Sequence, residues 1–202
     1  MAQFTILTVC SGNICRSPLA EQLLRAGARA WPEVAVASAG TTALVGEPMT
    51  EQAQALSREF GGIGAETHRA RDLTGEQLRD ADLVFALSRE HRRAIVELYP
   101  RATRLTFTLR EFARLVAGVT DADFEHGAQP GPTAPVARLT ELVEVAASRR
   151  GLVEPPDSPS DDNVIDPYRQ PDEVYRQCAD QLVPAVNTVL SQFARATTVG
   201  SR

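Results

Sequence analysis

The chain predicts an α/β fold in three layers, a four-stranded parallel sheet with helices on both faces. Three observations carry that reading. Short runs of strand length, rich in apolar and β-branched residues, recur at Phe4 to Val9, Glu33 to Ser38, Asp82 to Leu87 and Arg104 to Phe107. Stretches with apolar residues at helical spacing separate them, and strands alternating with helices give parallel crossovers. The run Asp82 to Leu87 is apolar without alternation, as a strand covered on both faces requires.

Composition agrees with one such unit. At 202 residues, 43% hydrophobic and 23% charged, the chain fits a single domain over 1–202 with a full core. Net charge is −5 and every basic residue is arginine, without a basic run, so nucleic acid is not an expected partner. No apolar stretch reaches membrane length and no charged-then-apolar leader opens the chain, so no membrane insertion is expected. Three cysteines make no disulfide framework, and a reducing cytoplasm is the expected setting.

The first element, Phe4 to Val9, leads into Cys10-Ser11-Gly12-Asn13-Ile14-Cys15-Arg16-Ser17-Pro18 and then into a helical run from Leu19 to Ala30. Ser17 suits an N-cap, and Pro18 suits the first helical turn. A loop between a strand's carboxyl end and a helix's amino end converges several backbone N–H groups, and the helix dipole adds positive potential there. Gly12 and Asn13 accept the left-handed backbone that such an anion cradle needs. Arg16 can fold back and offer a planar fork to two phosphate oxygens. Cys10 sits at the base of the loop, where the same donors favour a negatively charged sulfur. The result expected is an anion-binding loop after strand 1, suited to phosphate through Arg16, with a nucleophile at its floor. A zinc site is the competing reading of Cys10 and Cys15, but no second cysteine pair exists and Cys178 has no histidine near it.

Later elements follow in order. Thr50 to Phe60 reads as a helix stopped by Gly61-Gly62, and Ser88 opens a helix that Pro100 ends. Leu109 to Ala117 is a further helix. Between Gly118 and Asn163, Asp121 to Pro135 reads as a flexible loop, 136–149 as an amphipathic helix, and Gly151 to Asp162 as a proline-rich linker. Asp172 to Phe193 closes the chain as a long helix that Pro184 interrupts, with Cys178 on its core face. His91 and His126 have no chemical context in the sequence and are expected at the surface.

The segment Cys10 to Pro18, placed after one amino-terminal strand, resembles the signature loop of the low-molecular-weight protein tyrosine phosphatases. The resemblance spans roughly three-quarters of the chain, because the 118–163 segment is longer than the short link such a domain has there. It implies hydrolysis of phosphotyrosine without a cofactor or metal, through phosphocysteine. Cys10 would be the nucleophile and Arg16 the phosphate ligand, with Ser11, Gly12, Asn13, Ile14, Cys15 and Ser17 forming the phosphate cradle. Asn13 would hold the strained loop, Ser38 would hydrogen-bond Asn13, and Ser17 would hydrogen-bond the Cys10 sulfur. His68 would support the loop through Ser17. Leu44 stands near the place where many relatives carry an aromatic cleft wall. Asp166, in Asp166-Pro167-Tyr168, would protonate the leaving phenolate and then take a proton from the attacking water. Tyr168 would supply an aromatic wall. The partner implied is a phosphotyrosine protein, such as a tyrosine kinase controlling surface polysaccharide.

Three other readings share the loop. A protein arginine phosphatase carries threonine at the position of Ile14, whereas Ile14 offers an apolar contact to a phenyl ring. A thiol-linked arsenate reductase needs two relay cysteines, and none occurs between Ser17 and Gln177. A phosphate-binding module without catalysis would lack Cys10, Arg16 or Asp166. Cys15 adds a regulatory expectation, trapping oxidised Cys10 as a disulfide. The 118–163 segment is open to two readings, a helix packed on the domain's side, or a lid or partner-docking helix over the cleft.

Overall fold

In the computed structural model, residues 3–124 and 134–198 are described. Strand β1 (Phe4–Cys10) lies inside a four-stranded parallel sheet, flanked by β2 (Val34–Gly40) and β3 (Leu83–Ala86), with β4 (Thr106–Thr108) beyond β3. Pairing in register puts Cys10 beside Gly40, so two strands end together at the carboxyl edge. Ligands in open parallel sheets bind at that edge.

Alternate residues of the central strands feed two cores. Phe4, Ile6, Leu83, Phe85 and Phe107 face one side, where α1 (Arg16–Gly27), α2 (Glu51–Glu59), α5 (Leu109–Val116), α6 (Ala134–Ser148) and α7 (Asp172–Thr198) gather. Phe112 stacks edge-on against both Phe85 and Phe107, with ring centroids 5.2 and 5.0 Å apart. Leu7, Val9, Val84 and Ala86 face the other side, where Leu78 of α3 (Gly75–Arg79) and Ile95 of α4 (Arg89–Leu98) cover them. The three layers are those the alternation of strands and helices predicts.

Helix α3 has no counterpart among the elements expected from the sequence. It is five residues long, and a capping box between Thr74 and Gln77 closes its first turn. Pro184 sits inside α7, which runs on past it to Thr198. In the 118–163 segment, α6 lays Leu139, Leu142, Val143 and Ala146 against α5 and α7, on the flank of the sheet. Most of the expected loop Asp121 to Pro135 lies outside the described residues, as does His126.

Candidate active site

The loop between β1 and α1 turns on one residue. Asn13 has φ 56° and is fully buried; Gly12 is not left-handed, so the reversal expected of the pair is carried by Asn13 alone. Its side chain holds it there: Nδ2 donates to Ser17 Oγ (2.9 Å) and Ser38 Oγ (2.8 Å), while Oδ1 accepts from the Arg71 amide (3.0 Å). The other neighbour that must be small is Gly40, where a Cβ would lie 2.3 Å from the Ser11 carbonyl oxygen.

Ser17 is not the N-cap that the sequence suggests. Helix α1 begins at Arg16, with Cys15 in the capping position and no side-chain cap. Ser17 Oγ is turned inward instead, 3.0 Å from Cys10 Sγ. Lying inside the first turn, with its hydroxyl engaged by Asn13 and aimed at sulfur, it is not placed to cap the helix.

His68 also differs from expectation. Its Nε2–H donates to the Asn13 carbonyl (2.7 Å), so it supports the loop at Asn13 and not through Ser17. Burial lowers the His68 pKa, partly opposed by that carbonyl and by Glu21. Glu21 itself is buried, and sequence reasoning missed it. Ser38 Oγ donates to its carboxylate (2.5 Å), Arg25 pairs with it, and Arg71 and His68 lie at 4.0 and 3.8 Å. A buried carboxylate needs such partners, and its spacing from Arg25 on α1 was the only local signal.

Arg16 comes round over the cradle. One guanidinium nitrogen meets Asp166 Oδ2 at 2.8 Å and the other donates to the Val164 carbonyl at 3.2 Å. Its Nε is buried without a hydrogen-bond partner among the described residues, a spare donor beside the loop. The 163–168 segment is pinned to the carboxyl edge from several sides. The Val164 amide donates to Leu87 O (2.9 Å), Asn163 Oδ1 accepts the first amide of α4 (2.8 Å), and Gln181 accepts from the Ile165 amide (2.8 Å). Asp166 Oδ1 accepts the Tyr168 amide (3.2 Å), which fixes the turn, and the Arg169 guanidinium lies 5.0 Å from the Tyr168 ring centroid.

These residues enclose a cavity of about 170 Å³ lined by Cys10, Ser11, Gly12, Ile14, Cys15, Arg16, Thr42, Leu44, Asp166 and Tyr168. Of the residues singled out in the sequence, Cys10, Ser11, Gly12, Ile14, Cys15, Arg16, Leu44, Asp166 and Tyr168 line this cavity, while Asn13 and Ser17 do not. Ser38 and His68 lie behind the loop, outside the cavity. Among the described residues, none of the 118–163 segment lines it. A wider groove of about 970 Å³ beside α4 and α5 is rich in arginine, but Arg89 and Arg114 face Asp162, Arg92 and Arg150 face Glu111, and Arg93 faces Glu97. Each of these arginines thus has a carboxylate partner, Asp162 and Glu111 each serving two.

Two further thiols, Cys15 and Cys178, are also buried. Cys15 Sγ lies 3.5 Å from Thr50 Oγ1 and 3.6 Å from the Tyr175 hydroxyl, and burial pushes its pKa up. Cys178 is buried in α7, with its pKa pushed up to about 12 by burial, as suits an inert core thiol.

His91 corrects the expectation of a surface histidine. It is buried at the first turn of α4, with Nδ1 2.9 Å from Ser88 Oγ and Nε2 2.9 Å from Ser11 Oγ in the cradle.

The profile of the family described as low molecular weight phosphotyrosine protein phosphatase matches residues 5–128. The chain belongs to that family. Among relatives of this phosphatase, the low molecular weight protein-tyrosine-phosphatase Ptp of Acinetobacter johnsonii is 40% identical over 104 residues, 52% of this chain and 70% of that one. A protein-arginine-phosphatase of Geobacillus stearothermophilus is 40% identical over 120 residues, 59% of this chain and 76% of that one. The structure of a low molecular weight protein tyrosine phosphatase from T. tengcongensis superposes with a TM-score of 0.64 at 28% identity, covering 94% of this chain and 99% of the other. The profile match ends before Asp166, so that residue's place in the site rests on its geometry. Among the described residues no helix is long and apolar enough to cross a membrane.

Proposed function

We propose that the chain hydrolyses phosphotyrosine in proteins through a phosphocysteine intermediate. The observation that supports this best is the convergence of Cys10, Arg16 and Asp166 on one small cavity whose other walls, Ile14, Leu44 and Tyr168, are apolar or aromatic. In the first step the Cys10 thiolate attacks phosphorus and the bond to the phenolic oxygen breaks, with Asp166 giving that oxygen its proton. In the second, water attacks phosphorus, Asp166 takes its proton, and the S–P bond breaks. The loop amides and the Arg16 fork hold the equatorial oxygens throughout. Ser17 Oγ, beside the sulfur, stabilises it both as attacking and as leaving group. Asp166 pairs with one nitrogen of the Arg16 guanidinium, which sets its carboxyl beside the phosphate position and within reach of the leaving oxygen.

The Geobacillus stearothermophilus relative supplies a second reading, phosphoarginine. The apolar side chain of Ile14 favours the phenyl ring over a guanidinium. The proposed partner is a phosphotyrosine protein in the cytoplasm, with a tyrosine kinase of surface-polysaccharide synthesis as the first to try.

The test is metal-free hydrolysis of a phosphotyrosine and a phosphoarginine peptide by wild type, Cys10→Ser and Asp166→Ala. Turnover of phosphotyrosine, abolished by the first change and slowed on the order of 10²–10⁴-fold by the second, is expected. Preference for phosphoarginine would reverse the reading of Ile14.

A further inference from the structure

The bridge from α4 to the cradle has a direction that hydrogen-bond accounting can assign. Ser88 Oγ already accepts the His91 amide as the N-cap of α4 (3.3 Å). If His91 Nδ1 carried the ring proton, Ser88 Oγ would accept twice and its own buried hydroxyl proton would have no acceptor among the described residues. If Ser88 donates to Nδ1, every donor is used and the proton sits on Nε2. Nε2–H then donates to Ser11 Oγ, 2.9 Å away. Ser11 lines the cavity, and its hydroxyl has no other hydrogen-bond partner among the described residues, so its proton is left for an acceptor in the cavity.

Resting on the phosphatase reading above, we propose that His91 is a positioning residue that turns the Ser11 hydroxyl into a directed donor to the phosphoryl group. The cradle then offers a side-chain donor besides its amides and Arg16. The arrangement needs a neutral ring. Burial and then the Arg16 charge, against the opposing Asp166 carboxylate, lower the His91 pKa from 6.5 to about 4, so the ring is neutral at pH 7. Helix α4 carries His91 to the cavity's edge without exposing it, so a serine of the loop is read by a residue 80 positions away.

The experiment is direct binding of inorganic phosphate, by calorimetry at pH 7, to wild type, Ser11→Ala, His91→Phe, His91→Gln and the Ser11→Ala/His91→Phe pair. Ring ¹⁵N shifts of His91 are recorded in parallel. Expected are a five- to tenfold weaker affinity for Ser11→Ala, a similar loss for His91→Phe, and no further loss in the pair. His91→Gln, with an amide N–H near the Nε2 position, should recover most of the affinity, and the shifts should show Nε2 protonated. Wild-type affinity in Ser11→Ala, additive losses in the pair, or an Nδ1–H ring would overturn the proposal. Ser11→Ala is small enough to leave the fold intact, so the conclusion does not hang on the phenylalanine variant. Wild type that binds no phosphate would overturn the phosphate-site reading along with this one. Phosphate binding with no dependence on Ser11 would overturn this one alone.

Discussion

Asn13 concentrates the strain of the loop and its compensation in one side chain, so replacing it separates the two. Asn13→Ala removes three hydrogen bonds, two buried ones to Ser17 and Ser38 and a partly buried one to the Arg71 amide. At about 0.5–1.5 kcal/mol net apiece, that is about 2–4 kcal/mol. Alanine must also adopt φ 56°, which costs about 1–2 kcal/mol more. Asn13→Gly loses the same bonds but not the steric penalty, offset by about 0.5 kcal/mol for the freer unfolded chain. The glycine variant should therefore be the more stable by about 1 kcal/mol, with both well below wild type. Urea unfolding by fluorescence at pH 7, with the slope unchanged, reads these differences, and phosphotyrosine turnover in both variants should fall as the cradle loosens. A glycine variant no more stable than alanine would refute the strain argument. Two variants within 1 kcal/mol of wild type would refute the hydrogen-bond argument.

Other consequences can be measured as directly. His91 has a folded pKa of about 4 against 6.5, so below pH 6.5 the unfolded chain binds the proton the folded one refuses. Stability should fall as pH drops from about 6.5 to about 4, by on the order of 3 kcal/mol from this residue at about 1.4 kcal/mol per pH unit, with His68 acting in the same sense. His91→Gln should flatten that slope in urea titrations at pH 7 and 4.5. Leu142→Ala, in the fully buried face of α6, should cost about 2–5 kcal/mol with kcat and KM unchanged at 15 °C. Altered kcat or KM without lost stability would instead make the 118–163 segment a lid. If peroxide converts Cys10 to a sulfenic acid that condenses with the Cys15 thiol and releases water, reductant should restore wild type but not Cys15→Ser.

The main elements were legible because each is coded locally. Strand runs, the Gly61 stop with φ 76°, and the Ser88 cap all appear where turn and capping chemistry place them. Helix α3 was also legible in principle, since Thr74 and Gln77 have capping-box spacing, but it is too short for periodicity to reveal. The candidate site divides the same way. Cys10, Arg16 and Asp166 lie in motifs, whereas Glu21, His91 and Asn163 matter through partners 17 to 80 residues distant. No window on the sequence contains those pairs. Ser17 was misassigned for the same reason, because its preference for a cap is overridden by Asn13 and the Cys10 sulfur.

The pairing of Arg16 with Asp166 also bears on the chain's birth. The two are separated by 150 residues, as the sulfur's loop leaves the ribosome early and the carboxylate late. Closing so long a span is entropically slow and waits on the sheet and α7 that anchor it. Because β1 packs Phe4 on Phe193 of α7 and Arg16 is held by Val164 and Asp166, the cradle made first along the chain is completed only by segments made last.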